Sequence, residues 1–142
     1  MRIIAVDHGT KRIGIAISDP SGCIARPLTI LEHVSLEHDS REVIKLAVEY
    51  LVDLIVVGQS RDEEGAPNLS GRRAMRFADA LKRRSEIPVE LWDESLSTQD
   101  ARRVWLDAGA SRKKRAKPVD SIAASVILQS YLEAHCKSGD KS

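Results

Sequence analysis

The stretch Ile4-Ala5-Val6-Asp7-His8-Gly9-Thr10-Lys11-Arg12-Ile13-Gly14-Ile15-Ala16 decides the fold. Its first half belongs to an apolar, β-rich run over residues 2–7 that ends in a carboxylate. Residues 8–12 have the composition of a turn, and residues 13–18 (Ile-Gly-Ile-Ala-Ile-Ser) alternate with period two, as a half-buried strand does. A second turn, Asp19-Pro20-Ser21-Gly22, leads into a third extended segment over 23–31. Three strands joined by tight turns make an antiparallel meander.

Outward from the meander the periodicity changes. Asp39 with Glu42 three residues on is a helix start, followed by Val43, Ile44, Ala47, Val48 and Leu51 at helical spacing. Residues 54–57 form a short continuous apolar run closed by Gly58, which fits a strand buried on both faces. After a polar stretch at 59–70, Ala74, Phe77, Ala78 and Leu81 mark one face of a second helix, and residues 88–92 are a fifth strand. Ser97-Thr98-Gln99-Asp100 opens a further helix stopped by Gly109, with Val104, Trp105 and Ala108 apolar. The final helix starts from Pro118, with Ile122, Ala123, Val126, Ile127 and Tyr131 on its buried side. The order βββαβαβαα predicts an α/β fold: a mixed five-stranded central sheet, meander plus parallel strands, with helices on both faces. No domain boundary is visible, so residues 1–136 are expected to form one domain and 137–142 a polar tail.

The chain has 142 residues, 22 Lys plus Arg and 21 Asp plus Glu, for a net charge of +1. That balance excludes a generically basic, histone-like binder. It conceals an asymmetry: residues 101–142 carry 9 basic and 4 acidic side chains, and residues 1–100 carry 13 and 17. A polyanion would therefore meet the last third. Cys23 and Cys136 lie far apart, with no His or Cys at zinc-ligand spacing, and are expected as reduced thiols. No run approaches the ~20 apolar residues of a membrane span, and the N-terminus passes straight into a strand pattern without a signal peptide. A cytoplasmic protein without a membrane partner is expected.

Three acids stand out by position. Asp7 ends the first strand beside Gly9, Glu94 follows the fifth strand in Asp93-Glu94-Ser95, and Asp120 lies in the first turn of the last helix. Each has a plain structural explanation: a turn former, a solvated loop pair, an offset to a helix dipole. Jointly they lie where open α/β sheets gather ligands, near strand carboxyl ends. A cluster of such acids repels itself unless a divalent cation occupies it, and hard oxygen donors suit Mg²⁺ or Mn²⁺.

The opening stretch resembles the signature of the YqgF/RuvX family, which has a ribonuclease H-like fold. Ile55-Val56-Val57-Gly58, Asp93-Glu94-Ser95-Leu96-Ser97-Thr98, and Lys113-Lys114-Arg115 running into Val119-Asp120-Ser121-Ile122-Ala123-Ala124 and Ile127-Leu128-Gln129-Ser130-Tyr131-Leu132 resemble its later blocks in order. The resemblance implies a metal-dependent nuclease acting as a pre-16S rRNA nuclease or Holliday junction resolvase, with Asp7, Glu94 and Asp120 as both catalytic triad and metal ligands. Two ions roughly 3.5–4 Å apart would then be bridged by Asp7 and the scissile phosphate. The chain departs from the family pattern at Gln59-Ser60-Arg61 and Glu64-Gly65, where Leu-Pro and Met-Asp-Gly are usual, and at Ser95, where Arg is usual.

Arg112, Lys113, Lys114, Arg115 and Lys117 place five cations just before Asp120 and are expected to clamp phosphates, with Lys11 and Arg12 adding contacts from the first turn. His8, His33, His38 and His135 show no ligand or triad pattern and read as surface or turn residues. The serines of 94–97 lack a nucleophile elbow, and Trp92 and Trp105 read as core residues rather than stacking platforms. Two rivals stand beside the nuclease. Asp7-His8-Gly9-Thr10 resembles the first phosphate motif of actin and Hsp70-like nucleotide-binding domains, but 142 residues supply only one of the two lobes such proteins use. A non-catalytic nucleic-acid-binding or ribosome-assembly factor would keep the basic run without needing the acids. Pre-rRNA and branched DNA remain open as substrate, as do monomer and homodimer.

Overall fold

The computed structural model describes residues 1–9, 11–59, 69–93 and 119–140. The meander forms as expected, from β1 (Ile3–His8), β2 (Arg12–Ser18) and β3 (Ala25–Glu32), with β1–β2 and β2–β3 both antiparallel. The first turn closes through the Gly9 N–H, which donates to the Arg12 carbonyl at 3.0 Å. A Cβ on Gly9 would lie 2.6 Å from that same oxygen, so the turn admits only glycine there. The second turn is organised by Asp19, whose carboxylate accepts from Ser21 Oγ at 2.7 Å and from the N–H groups of Cys23 and Ile24 at 3.0 and 3.1 Å. Those bonds hold its carboxyl down at about 2. β3 is an edge strand, which tolerates the missing N–H of Pro27.

The chain then alternates: α1 (Leu36–Glu49), β4 (Leu54–Gln59), α2 (Leu69–Arg84), β5 (Val89–Asp93) and α3 (Val119–Asp140). The sheet order is β3-β2-β1-β4-β5, and β1, β4 and β5 run parallel. β4, between β1 and β5, is buried at every position, as its continuous apolar run requires. Period two divides the strands between two cores. Ile4, Val6, Ile13 and Ile15 pack with Val43 and Ala47 of α1 and with Ala74, Phe77, Ala78 and Leu81 of α2. Ile3, Ala5, Ala16, Leu54 and Val56 pack with Ala124, Ile127, Leu128, Tyr131 and Leu132 of α3 on the other face. The α/β architecture with helices on both faces is the one expected.

Five local expectations are corrected. α1 begins a turn earlier than Asp39, because Ser35 caps it: Ser35 Oγ accepts from the His38 N–H at 3.0 Å. Val48 and Leu51 are exposed rather than buried, since the helix ends at Glu49 and Leu51 turns away with φ +55°. On α3 the fully buried positions are Ala124, Ile127, Leu128, Tyr131 and Leu132, one residue out of phase with the expected face. The same helix continues past Lys137 to Asp140. Cys23 is disulfide-bonded, not a reduced thiol, so the cysteines no longer argue for a reducing compartment. The helix expected at 97–109, with Trp105, lies outside the described residues. No helix among the described residues is long and apolar enough to cross a membrane.

Candidate active site

Because β1, β4 and β5 are parallel, their carboxyl ends share one edge of the sheet. Asp7 is the penultimate residue of β1, half-buried and opposite Gly14 on β2. It has the parity of Ile3 and Ala5, so it belongs to the α3 face. β5 ends at Asp93, in register with Gln59 of β4, and lies two strand spacings, about 10 Å, from β1. Glu94 follows in sequence and lies outside the described residues.

Asp120 is the second residue of α3. The direction of that helix is set by Gln129, whose Oε1 accepts from the Ala25 N–H at 2.9 Å and whose Nε2 donates to the Cys23 carbonyl at 3.2 Å. Ala25 pairs with Ser18, and Ser18 Oγ accepts from the Ile3 N–H, so Gln129 marks the amino edge of β1. Ala124, about one and a half turns earlier, is fully buried in the same cluster as Ile3 and Ala5. At the middle of the helix, Trp92 Nε1 donates to Ser130 Oγ at 3.2 Å and Tyr131 donates to Glu90. Burial and that acceptor raise the Tyr131 hydroxyl well above its usual range. Trp92 is thus a packing residue, as expected.

Lys11 and Arg12 are exposed where β2 begins, and the Lys11 carbonyl accepts from the His33 N–H at 2.9 Å. The structure brings them to the same end of the sheet as Asp7. Arg112, Lys113, Lys114, Arg115 and Lys117 lie outside the described residues.

On the opposite face, the structure assembles a group that the sequence reading missed. Asp39 is 1% exposed and binds the Val34 N–H at 3.0 Å through Oδ1 and His33 Nδ1 through Oδ2. His38 Nδ1 lies 3.5 Å from Oδ1 and His8 Nε2 3.8 Å from Oδ2. Burial pushes the Asp39 carboxyl up, but the bonds from Val34, His33 and His38 outweigh it and hold the group below its usual range. His8 is moved down, first by burial, with His33 and Arg73 adding to the effect and Asp39 opposing it. Its ring stacks on Phe77 and meets His33 edge-on. Three of the four histidines thus converge on one buried carboxylate, against the expectation of unconnected surface residues. The available signal was the parity of His8 with Ile4 and Val6, which pointed it into the core.

His8, His33 and Asp39 are the one group of three potential metal-ligating residues found among the described residues, with ligand atoms within 4.8 Å of one another. It is distinct from the expected acids. Asp7 itself offers a hard carboxylate donor beside a turn so tight that no side chain fits at Gly9, which suits Mg²⁺ or Mn²⁺.

Residues 1–134 match the family described as RuvX: Holliday junction resolvase. A Clostridium acetobutylicum protein provisionally named pre-16S rRNA nuclease is 40% identical over 134 residues, 94% of this chain and 99% of that one. A Thermoanaerobacter pseudethanolicus protein of the same name is 42% identical over 135 residues, covering 94% and 97%. Among solved structures, T. thermophilus RuvC in complex with Holliday junction substrate superposes with a TM-score of 0.62 at 14% identity, covering 96% of each chain. The fowlpox virus Holliday junction resolvase gives 0.54 at 19% identity, covering 94% and 99%. These two likenesses establish the fold.

Proposed function

The chain belongs to the RuvX family and is a nuclease; from that premise we propose that it is a divalent-metal-dependent enzyme that trims the 5′ end of pre-16S rRNA in the cytoplasm. The relatives at about 40% identity carry that name over nearly their whole length, whereas the junction resolvases are similar in fold. The observation that carries the chemistry is the position of Asp7, at the carboxyl edge shared by three parallel strands and beside the glycine turn.

Asp7, Glu94 and Asp120 would hold Mg²⁺ or Mn²⁺. When bound, the ions supply Lewis-acid activation of water and stabilisation of the leaving oxygen. Asp7 contributes a carboxylate from a backbone position held in the β1–β2 ladder opposite Gly14. Lys11 and Arg12, with Arg112, Lys113, Lys114, Arg115 and Lys117, would neutralise flanking phosphates. Residues 1–136 would act as one domain, as a monomer or homodimer.

A cleavage panel tests this reading. With Mg²⁺ or Mn²⁺, a structured pre-rRNA fragment should be cut in preference to a mobile four-way DNA junction and to duplex DNA, and Asp7→Asn should be inactive. Preferential junction cleavage would replace the substrate; no cleavage of any substrate, or full activity in Asp7→Asn, would remove the nuclease site.

A further inference from the structure

A cleft of about 250 Å³ opens between β1, the start of α1 and α2, lined by His8, His33, Ser35, Leu36, Arg73 and Arg76. His8 reaches it from the α1/α2 face of β1, opposite in parity to Asp7. Its volume is just below the roughly 300 Å³ at which small-molecule sites begin, enough for one small group with a short appendage.

The cleft contains unmet hydrogen-bonding capacity. Among the described residues, three buried side-chain nitrogens lack any partner: His8 Nδ1, His8 Nε2 and Arg73 Nε. All belong to residues lining this cleft. The His8 side chain is only 6% exposed, and its nearest acid, Asp39 Oδ2 at 3.8 Å, is beyond hydrogen-bond reach. Leaving such groups unpaired costs free energy that a ligand could recover.

Among the described residues the lining carries no carboxylate: Asp39 is buried behind them, with Oδ2 taken by His33. Two guanidinium side chains, Arg73 and Arg76, stand one turn apart on α2. Across from them, Ser35 and Leu36 are the cap and first residue of the 14-residue α1, whose N-terminal end carries positive potential. A dication would meet both arginines and that helix end; an anion meets two guanidinium groups on α2 and the capped end of α1 opposite. We infer that this cleft binds a phosphate group, held by Arg73 and Arg76, His8 and the first turn of α1. The inference does not depend on which acids cut the nucleic acid, because the cleft is on the other face of the sheet.

Calorimetric titration of the full chain in chelator, so that nothing is cleaved, tests it with orthophosphate and with a short RNA bearing a 5′-phosphate or a 5′-hydroxyl. Binding of either phosphorylated probe is expected, weakened about tenfold or more by Arg73→Gln and by Arg76→Gln. Arg26→Gln, which removes the same charge from exposed β3, should leave binding unchanged. Equal affinity for orthophosphate and the 5′-phosphorylated RNA assigns the site to a free anion; tighter binding of the RNA, lost with the 5′-hydroxyl, assigns it to a strand terminus. No phosphate binding, or binding insensitive to the exposed Arg76→Gln as well as to Arg73→Gln, overturns the inference.

Discussion

The ring of His8 lies on the ring of Phe77, with centroids 4.4 Å apart and planes 13° from parallel. The contact joins the carboxyl end of β1 to the middle of α2 and determines which way His8 faces. Its neighbour Asp7 must then face α3. One end of one strand thus presents a carboxylate to one layer and an imidazole to the other, and the two faces have different chemistry.

Phe77 is fully buried, and its loss should be the most costly single truncation on α2. Phe77→Ala is expected to destabilise by about 3–5 kcal/mol, and Phe77→Leu by less than half of that. Urea denaturation followed by far-UV circular dichroism measures both. Similar midpoints for Phe77→Ala and wild type would show that α2 does not pack as described.

Asp39 makes stability depend on acid pH. Its folded carboxyl is held below its ordinary range, so its contribution is present above the unfolded value and is lost as pH falls through the folded one. At pH 7, Asp39→Asn should cost roughly 1.5–3 kcal/mol, since it removes the charged acceptor shared by Val34, His33 and His38. The gap between wild type and Asp39→Asn should close below the ordinary carboxylate range. Denaturant midpoints of both proteins across the acid range check the sign; a constant gap would contradict it.

What could be read from the sequence follows from how local each signal was. The β1–β2 hairpin was legible because the period-two runs and the Gly9 turn are contiguous. β4 was legible because six buried positions leave no polar alternation to mislead. The phase of α3 was not, because Ile122, Ala123, Ala124, Val126, Ile127 and Leu128 make its first turns apolar nearly all round. Asp39 with Glu42 signals a helix start, but that pair looks the same at the first helical position or a turn inside. Its role depends on His8, 31 positions earlier, and no local pattern encodes that distance.

Gln129 should be the residue that orients α3. It bonds both Ala25 and Cys23, 104 and 106 positions away. Gln129→Ala removes both bonds and is expected to cost about 1–3 kcal/mol. If α3 also presents Asp120 to the cutting edge, this variant should lower kcat for cleavage more than it weakens nucleic-acid binding. Single-turnover cleavage and equilibrium binding, measured below the melting transition, separate the two effects.

Arg112, Lys113, Lys114, Arg115 and Lys117 would carry the electrostatic part of nucleic-acid binding. If all five release counterions, log K should fall with log salt at a slope of about −4.5 on duplex and about −3.5 on single strands. Replacing the five with Gln should remove most of that slope. Filter binding over a salt series in chelator is the measurement, and an unchanged slope would exclude the run from contact.

Asp7 gives the sharpest prediction, because replacement with Asn keeps size and hydrogen-bonding reach while removing the charge a divalent ion needs. Loss of residues that merely support a ligand costs roughly 10–100-fold, so loss of a direct ligand should reduce cleavage by at least about 100-fold. Stability should change little or rise, since Asp7 is half-buried at a strand end and its charge faces other acids if Glu94 and Asp120 converge there. Wild-type protein stripped by chelator should lose activity and regain it with Mg²⁺ or Mn²⁺, whereas Asp7→Asn should regain none with either. A metal-site role requires that contrast, because a merely structural role for Asp7 would lower thermal stability and activity together and leave the metal response intact.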